Sequence, residues 1–183
     1  FARTAEAYSY LSGEKMIRQS EDQILDAILQ NFKGKKLILL APIVKGRKGH
    51  YRELFQQIRK QGFTKVRVDG ELLDITAKMQ VDRYKIHDIE VVIDRIVVDA
   101  KDRARIGQSI NRALKEGKGV IMALDEHQKP HHFSKFLMDP TTGLSYDEPA
   151  PNTFSFNSPY GACPVCNGLG QVEEITEESV IPD

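Results

Sequence analysis

Two cysteines, Cys163 and Cys166, are the residues whose type and spacing point most directly to chemistry, and they are the only cysteines of the chain. A Cys-x-x-Cys pair beside glycine-rich turns, as in residues 154–170 (FSFNSPYGACPVCNGLG), aims two thiolates at one metal ion. Structural zinc, however, takes four protein ligands in a tetrahedron. The pair therefore indicates half of a zinc module, and the question is where the other half lies.

Three interpretations of the cysteine pair stay open. The first is a metal-free turn with two free thiols, which the sequence favours. The second is zinc held with improvised ligands such as His131, His132 or Asp139, although adjacent side chains in an extended segment point to opposite faces. The third is a redox pair of the thioredoxin type. It is disfavoured because such pairs are activated at a helix N-terminus, and residues 167–170 are a poor helix start.

Catalytic motifs are missing from the sequence. The segment Gly46–Gly49 follows a strand pattern, but the phosphate-binding motif G-x-x-x-x-G-K-[ST] does not occur in the chain. No Ser/His/Asp set and no pair of carboxylates has an interpretable spacing. We therefore expect this chain to be neither an enzyme nor the holder of a cofactor of its own.

Basic residues cluster in one part of the chain. Between residues 33 and 67, eleven Lys or Arg stand against a single acid, Glu53, although the formal net charge of the chain is zero. Such a cluster favours an acidic partner, which is either a nucleic acid or an acidic protein face. A solvated surface balanced by acids elsewhere in the fold is the alternative.

Four basic residues are the candidates for partner binding: Arg67, Arg95, Arg47 and Lys48. Arg67 alternates with two valines, so it faces outward if the valines face the core. Arg95 interrupts an apolar strand pattern in which an unpaired arginine is costly to bury. For both, the alternative is an ion pair inside the domain with Asp69 or Asp94. The other two candidates lie in a basic segment, 45–49, that we expect to form a turn.

The periodicity predicts an α/β (α+β) fold with a mixed sheet and about three helices, followed by a smaller, irregular, β-rich segment. Helices are predicted after the Ser20 capping box and over His50–Gln61 and Asp102–Glu116. Strands are predicted at Lys36–Ala41, Thr64–Val68, Glu71–Ile75, Asp88–Asp99 (the longest) and Gly119–Leu124, with short pieces at Phe133–Leu137 and Thr153–Phe156.

The composition indicates where such a chain works. No apolar run approaches the ~20 residues needed to span a bilayer, so we expect no membrane association. Two cysteines without a disulfide framework fit a reducing compartment, which predicts a cytoplasmic protein. The chain begins with Phe1 rather than methionine, and we expect it to be a piece of a larger protein.

Three segments carry a family resemblance: 36–71 (KLILLAPIVKGRKGHYRELFQQIRKQGFTKVRVDGE), 85–99 (KIHDIEVVIDRIVVD) and 154–170. Together they resemble the A subunit of the bacterial UvrABC excision nuclease, UvrA, in order and along nearly the whole chain. The resemblance implies that residues 19–130 form the domain that binds the partner protein UvrB. Residues 1–18 would end a preceding ATPase-body segment, and residues 131–183 would form a degenerate zinc-module segment leading back to that body.

The resemblance also implies a function in nucleotide excision repair and the SOS response, in which the domain binds UvrB and helps load it at DNA lesions. The arginines would meet acidic residues of UvrB. The parent would bind ATP and DNA and form a homodimer, although its nucleotide loop lies outside this chain. Typical relatives also bind zinc. The alternative function is direct nucleic-acid binding through the basic stretch Lys33–Arg67.

This chain departs from the family at the metal. Most relatives carry Cys-x-x-Cys near Ser9–Ser12 and again about twenty residues before the surviving pair, where this chain has Asp139 and Thr142. Hydroxyl groups are poor zinc ligands compared with thiolates. We therefore expect little bound zinc, with Cys163 and Cys166 facing Asp139 and Thr142. Apolar packing would replace the metal through these aromatic and aliphatic residues: Phe133, Phe136, Leu137, Tyr146, Phe154 and Phe156.

Overall fold

A computed structural model describes residues 5–146, 151–155, 157–158, 162–163, 165–166 and 169–171. The chain divides into two compact units. The larger unit is Ala7–Tyr146, and the smaller one combines Phe1–Glu6 with Asp147–Asp183. The larger unit carries the three α-helices and the main sheet.

The main sheet has six strands in the order β3-β2-β4-β1-β5-β6. The strands are β1 (Lys36–Lys48), β2 (Lys65–Val68), β3 (Glu71–Asp74), β4 (Ile86–Val97), β5 (Val120–Leu124) and β6 (Pro130–Ser134). The helices are α1 (Glu21–Asn31), α2 (Arg52–Lys60) and α3 (Arg103–Glu116). A two-stranded hairpin of β7 (Leu137–Met138) and β8 (Ser145–Tyr146) follows, and short 3-10 turns lie at Ala100–Asp102 and Pro151–Phe154.

Local sequence signals set several element boundaries. The Ser20 hydroxyl accepts from the backbone N–H of Gln23, whose side chain accepts from the backbone N–H of Ser20, so α1 begins with a full capping box. The β2–β3 hairpin turns at Asp69-Gly70, where both residues have positive φ (49° and 95°), as a tight hairpin requires. These signals are local in sequence, which is why they can be recognised without the fold.

All three helices pack on one face of the sheet. Two adjoining clusters of buried apolar side chains lie there. One joins α1 and α3 to the sheet: Ile24, Ile28, Phe32, Leu37, Leu39, Ile96, Val98, Ile106, Ile110, Ala113, Leu114, Ile121, Ala123 and Phe133. The other joins α2 to the sheet: Val44, Phe55, Ile58, Phe63, Val66, Val68, Ile75, Ile89 and Val91. Because Ile93 packs against both clusters, they form one continuous core.

The opposite side of the sheet, called the helix-free face below, is covered by none of the described helices. Side chains directly opposite each other on paired strands share a face. The register pairs Ile38 with Arg95, Leu40 with Val92, Pro42 with Glu90, Arg67 with Glu90 and Met122 with His132. A third apolar cluster (Leu40, Met122 and Leu124, with the half-buried Ile38 and Val92) forms the centre of this face.

The fold class is confirmed, with three helices and a sheet, while four details of the prediction are wrong. All pairings of the described sheet are antiparallel, so the sheet is not mixed in direction. The basic segment 45–49 is not a free turn, because β1 continues to Lys48 and pairs with the start of β4. The longest of the described strands is therefore β1, with 13 residues, and not the strand predicted at Asp88–Asp99, which corresponds to β4 with 12 residues. Residues Pro151–Phe154 form a 3-10 turn instead of β structure, and Phe156 lies outside the described residues.

None of the helices that the structure describes combines the length and the apolar character needed to cross a membrane. The domain boundaries 1–18, 19–130 and 131–183 stay a prediction. Strand β6 begins at Pro130 and completes the main sheet on its β5 edge.

Candidate functional site

Arg67 lies in a buried ion pair on the helix-free face. Its Nη1 is 3.4 Å from Glu90 Oε1 and 3.8 Å from the Met122 sulfur. The side chain of Arg67 is 17% exposed and that of Glu90 is 6% exposed. Arg67 therefore does leave the core side of the sheet, but it turns to an acid on the neighbouring strand rather than to Asp69 or Asp94.

Glu90 is held in a surrounding that does not favour its charge. Burial raises the pKa of the Glu90 carboxyl to about 7, and the positive charge of Arg67 offsets only part of that effect. Asp88 and Asp69 raise the pKa further through their negative charge. At neutral pH, Glu90 is therefore close to the midpoint between its neutral and its ionised form.

Asp69 has a separate partner, which explains why it is not available to Arg67. His87 Nδ1 lies 2.6 Å from Asp69 Oδ2, and His87 Nε2 lies 2.7 Å from the carbonyl oxygen of Asp82. Both ring nitrogens thus face acceptors. These hydrogen bonds, with that of Asp69 first, raise the pKa of the buried His87 above its ordinary value.

Arg95 lies at the other end of the helix-free face, and it is exposed. Its backbone N–H donates to Asp94, but the Asp94 carboxylate is engaged by Ser109 at 2.6 Å and by Arg105 at 3.4 Å. Among the described residues, the guanidinium of Arg95 makes no ion pair. It borders a surface groove of about 440 Å³, together with Lys36, Ile38, Val97, Asp125, Glu126 and Gln128. Arg95 is thus free to meet a partner.

Arg47 and Lys48 are exposed at the end of β1, and within the described part of the chain neither forms an ion pair. Their carbonyl oxygens accept from the hydroxyl of Tyr51, which holds the backbone of this end. The pairing of Arg47 with His87 fixes the segment against β4. Both side chains can therefore contact a partner or a phosphate backbone from a segment that is paired with β4.

Four positions singled out for a metal, Ser9, Ser12, Asp139 and Thr142, meet in the larger unit. Asp139 is completely buried. Its Oδ2 accepts from the Ser12 hydroxyl at 2.7 Å, and its Oδ1 accepts from the backbone N–H groups of Thr141 and Thr142 at 2.9 and 3.3 Å. Burial alone would raise the pKa of Asp139, but hydrogen bonds from Ser9, Ser12 and Thr142 hold it far below its usual range. Asp139 is therefore a buried carboxylate whose charge is satisfied by hydroxyl and amide donors.

This set of donors does not fit zinc. It offers three hydroxyls and one carboxylate whose two oxygens already accept hydrogen bonds, whereas structural zinc takes thiolates and imidazoles. The network joins the segment before α1 to the β7–β8 turn, and a hydrogen bond from the Thr141 hydroxyl to Glu14 extends it. Hydrogen bonds thus connect these two segments. The expected apolar replacement is wrong at Phe136 and Phe154, which are 47% and 55% exposed.

The cysteines belong to the smaller unit, whereas Asp139 belongs to the larger one. Both thiols are free, and Cys163 is exposed. Backbone N–H groups of Cys166 and Val165 lower the pKa of the Cys163 thiol, and the N–H of Gly170 donates to Cys166 Sγ at 3.3 Å. Within the described residues, no group of three or more His, Cys, Asp or Glu side chains could hold a metal ion.

The two adjacent histidines point to opposite faces, as predicted. His131 Nε2 lies 3.1 Å from Asp125 Oδ2, and this hydrogen bond helps to lower the pKa of Asp125 to about 2. The imidazole ring of His131 packs edge-on against the ring of Phe32, with 4.7 Å between the ring centroids. His132 lies on the helix-free face beside Gly143. Burial lowers the pKa of His132 to about 4, so it is neutral at pH 7. The pair does not converge on one metal ion.

Sequence reasoning missed Glu90, the residue that decides the environment of Arg67. It stands in a run of β-branched residues, IEVVIDRIV, where the charged members look alike. The register of β2 against β4 places Arg67 opposite Glu90, and that register is not visible in the sequence. A polar residue at an otherwise apolar strand position is the one signal that could have marked it.

The chain is similar to proteins whose curated names agree with one another. A family model described as the UvrA interaction domain matches residues 19–127. Proteins named UvrABC system protein A are 40% identical in Methanothermobacter thermautotrophicus and 41% identical in Bacillus subtilis, each over the whole of this chain, and 41% identical over 99% of it in Thermus thermophilus. The chain spans 19% of the length of each of these three relatives. On these matches, this chain belongs to the UvrA interaction domain family.

Proposed function

We propose that this domain binds a UvrB-type protein through the helix-free face and so contributes to loading that protein at DNA lesions in nucleotide excision repair. The observation that carries the proposal is the exposed guanidinium of Arg95, which lies on the helix-free face beside the partly exposed side chains of Ile38 and Val92. Protein interfaces combine an apolar centre with a polar rim and are enriched in arginine. A guanidinium also pairs with carboxylates in a bidentate geometry, which suits an acidic partner.

The parent protein would supply the rest of the reaction. ATP binding, DNA contact, a homodimeric state and a cytoplasmic location belong to this proposal for the whole protein. For this domain, the proposal contains no catalytic step and no cofactor. Its role is to hold the partner.

The first test is binding without nucleotide. The purified chain and a UvrB-type protein, mixed at tens of micromolar without ATP, should elute together in gel filtration and give a saturable heat in calorimetry. Absence of both a complex and a heat would contradict the proposal.

Direct nucleic-acid binding is the second candidate, favoured by the exposed Arg47 and Lys48. Binding to phosphates weakens steeply with salt, because each neutralised phosphate releases counterions. A protein interface with an apolar centre weakens far less. Titrations with duplex DNA and with the UvrB-type protein, each at low and at high salt, therefore separate the two functions. The Arg47→Ala/Lys48→Ala double variant should lose DNA binding if the second candidate is correct.

A further inference from the structure

A pocket lies on the helix-free face around the Arg67–Glu90 pair. Its volume is about 230 Å³, enough for one side chain. Strands β1, β2, β4, β5 and β6 and the turn at Thr142–Gly143 contribute to its wall. The polar side chains that line it include Lys45, Arg67, Asp88, Glu90 and His132.

Two residues that line this pocket each have a buried polar atom without a hydrogen-bond partner in the part of the chain that the structure describes: Arg67 Nε and Glu90 Oε2. Glu90 is 5% exposed as a residue, so solvent has little access to its carboxylate. Buried polar atoms are almost always paired, because leaving one without a partner is unfavourable. An unpaired donor and an unpaired carboxylate oxygen in one pocket therefore point to a polar group that enters from outside.

The charges around Glu90 decide which group fits. Arg67 on β2 and Lys45 on β1 are cations, and Asp88 is the nearest acid on its own strand. Asp69 also acts on Glu90 but is paired with His87, and His132 on β6 is neutral because burial lowers its pKa. An entering ammonium or guanidinium group has no acceptor atom, so it would leave Arg67 Nε unpaired. A carboxylate can accept from Arg67 Nε and, once Glu90 is protonated, from the Glu90 hydroxyl as well.

We propose that this pocket receives one carboxylate side chain of the protein partner and that Glu90 takes up one proton when the carboxylate enters. The inference rests on the proposed function, since the carboxylate belongs to the UvrB-type protein. The proton comes from the buffer and binds Glu90 Oε2, so the charge brought by the partner is matched by the charge that Glu90 loses. Protonation removes the repulsion between two carboxylates and turns an unpaired acceptor into a donor.

The test is the number of protons taken up on binding. Calorimetry of the chain with the UvrB-type protein at pH 8, in two buffers of different ionisation enthalpy, gives that number. We expect close to one proton per complex, because a group with a pKa of about 7 is mostly ionised at pH 8. The affinity of the wild-type chain should fall close to tenfold per pH unit above about pH 7.

Glu90→Gln is the decisive variant, because its side chain cannot take up a proton at this pH. It should bind the partner with about one proton fewer than the wild type at pH 8, and its affinity should be nearly independent of pH between 7 and 9. Glu53→Gln is the matched control, since Glu53 is an exposed acid on α2, on the helix side of the sheet. It should keep the wild-type proton uptake.

The outcomes separate the two proposals. Binding with no proton uptake, or with the same uptake in Glu90→Gln, overturns the inference and leaves the protein-binding function standing. Absence of any binding overturns both. The free chain offers an independent check, because the carboxyl carbon of Glu90, followed by NMR, should titrate near neutral pH. An ordinary titration near pH 4.5 would also overturn the inference.

Discussion

Replacing the Glu90 carboxylate by an amide should stabilise the domain at alkaline pH. Its pKa rises from the ordinary 4.5 to about 7, and one pKa unit corresponds to ~1.4 kcal/mol. Ionising Glu90 in the folded domain is therefore less favourable by ~3 kcal/mol than ionising it in the unfolded chain. The Glu90→Gln variant avoids this ionisation and keeps an oxygen that can accept from Arg67. The variant should gain ~3 kcal/mol of unfolding free energy at pH 8.

The sign of the pH dependence follows from the raised pKa. Between about pH 4.5 and pH 7 the folded domain holds a proton on Glu90 that the unfolded chain has released, so wild-type stability falls as pH rises through this range. Above both pKa values the loss is complete. The advantage of Glu90→Gln should thus shrink to under ~1 kcal/mol at pH 5. His87, whose pKa is raised, also makes the wild type less stable as pH rises, but it contributes equally to the variant.

Urea unfolding of the wild type and of Glu90→Gln measures the gain in unfolding free energy at pH 8 and at pH 5. Glu53→Gln is the control, and it should change the unfolding free energy little at either pH. Destabilisation by Glu90→Gln of similar size at both pH values would refute the reasoning. It would show that the ionised Glu90 stabilises the fold through Arg67, as a favourable buried ion pair does when one partner is removed.

Three further predictions concern the partner surface and the metal. Arg95→Glu should weaken binding to the UvrB-type protein by tenfold or more (~1.4 kcal/mol). The melting temperature should not change, because the guanidinium of Arg95 is exposed in the folded chain. A drop in melting temperature that matches the loss of binding would contradict this prediction. Asp139→Asn should lower the melting temperature at pH 7. This loss should shrink as pH falls below about 4, because a carboxylate with a lowered pKa stabilises the fold only while it is ionised. Equal losses of melting temperature at pH 7 and pH 3 would argue against the network. The purified chain should contain little zinc by elemental analysis and should keep its melting temperature in chelator, whereas one zinc per chain would show that other ligands complete a site.

Much of the fold could be predicted because its signals are local. The Ser20 capping box starts α1, and the Asp69-Gly70 turn joins β2 to β3 where predicted. The alternation around Arg67 correctly placed its side chain on the face away from the helices. Each of these features depends on residues within a few positions of one another, so a period or a turn signal is enough to recognise it.

What could not be predicted depends on register between distant strands. The sequence alone does not show that Arg67 faces Glu90, or that β1 runs on to pair Lys48 with Ile86. The meeting of Ser12 with Asp139 joins residues more than a hundred positions apart. Contacts of this kind are set by how the whole sheet assembles, and a change of one residue in register would send each side chain to the other face.

The central claim is that the helix-free face binds the UvrB-type protein, and methyl NMR of the chain tests it most directly. Adding unlabelled partner without ATP should shift or broaden the methyl signals of Ile38, Val92 and Met122, which lie on that face. The methyl signals of Leu25 and Leu29, which pack on the helix side, should change little. Changes confined to the helix side, with the three methyl groups of the helix-free face unaffected at saturation, would contradict the account.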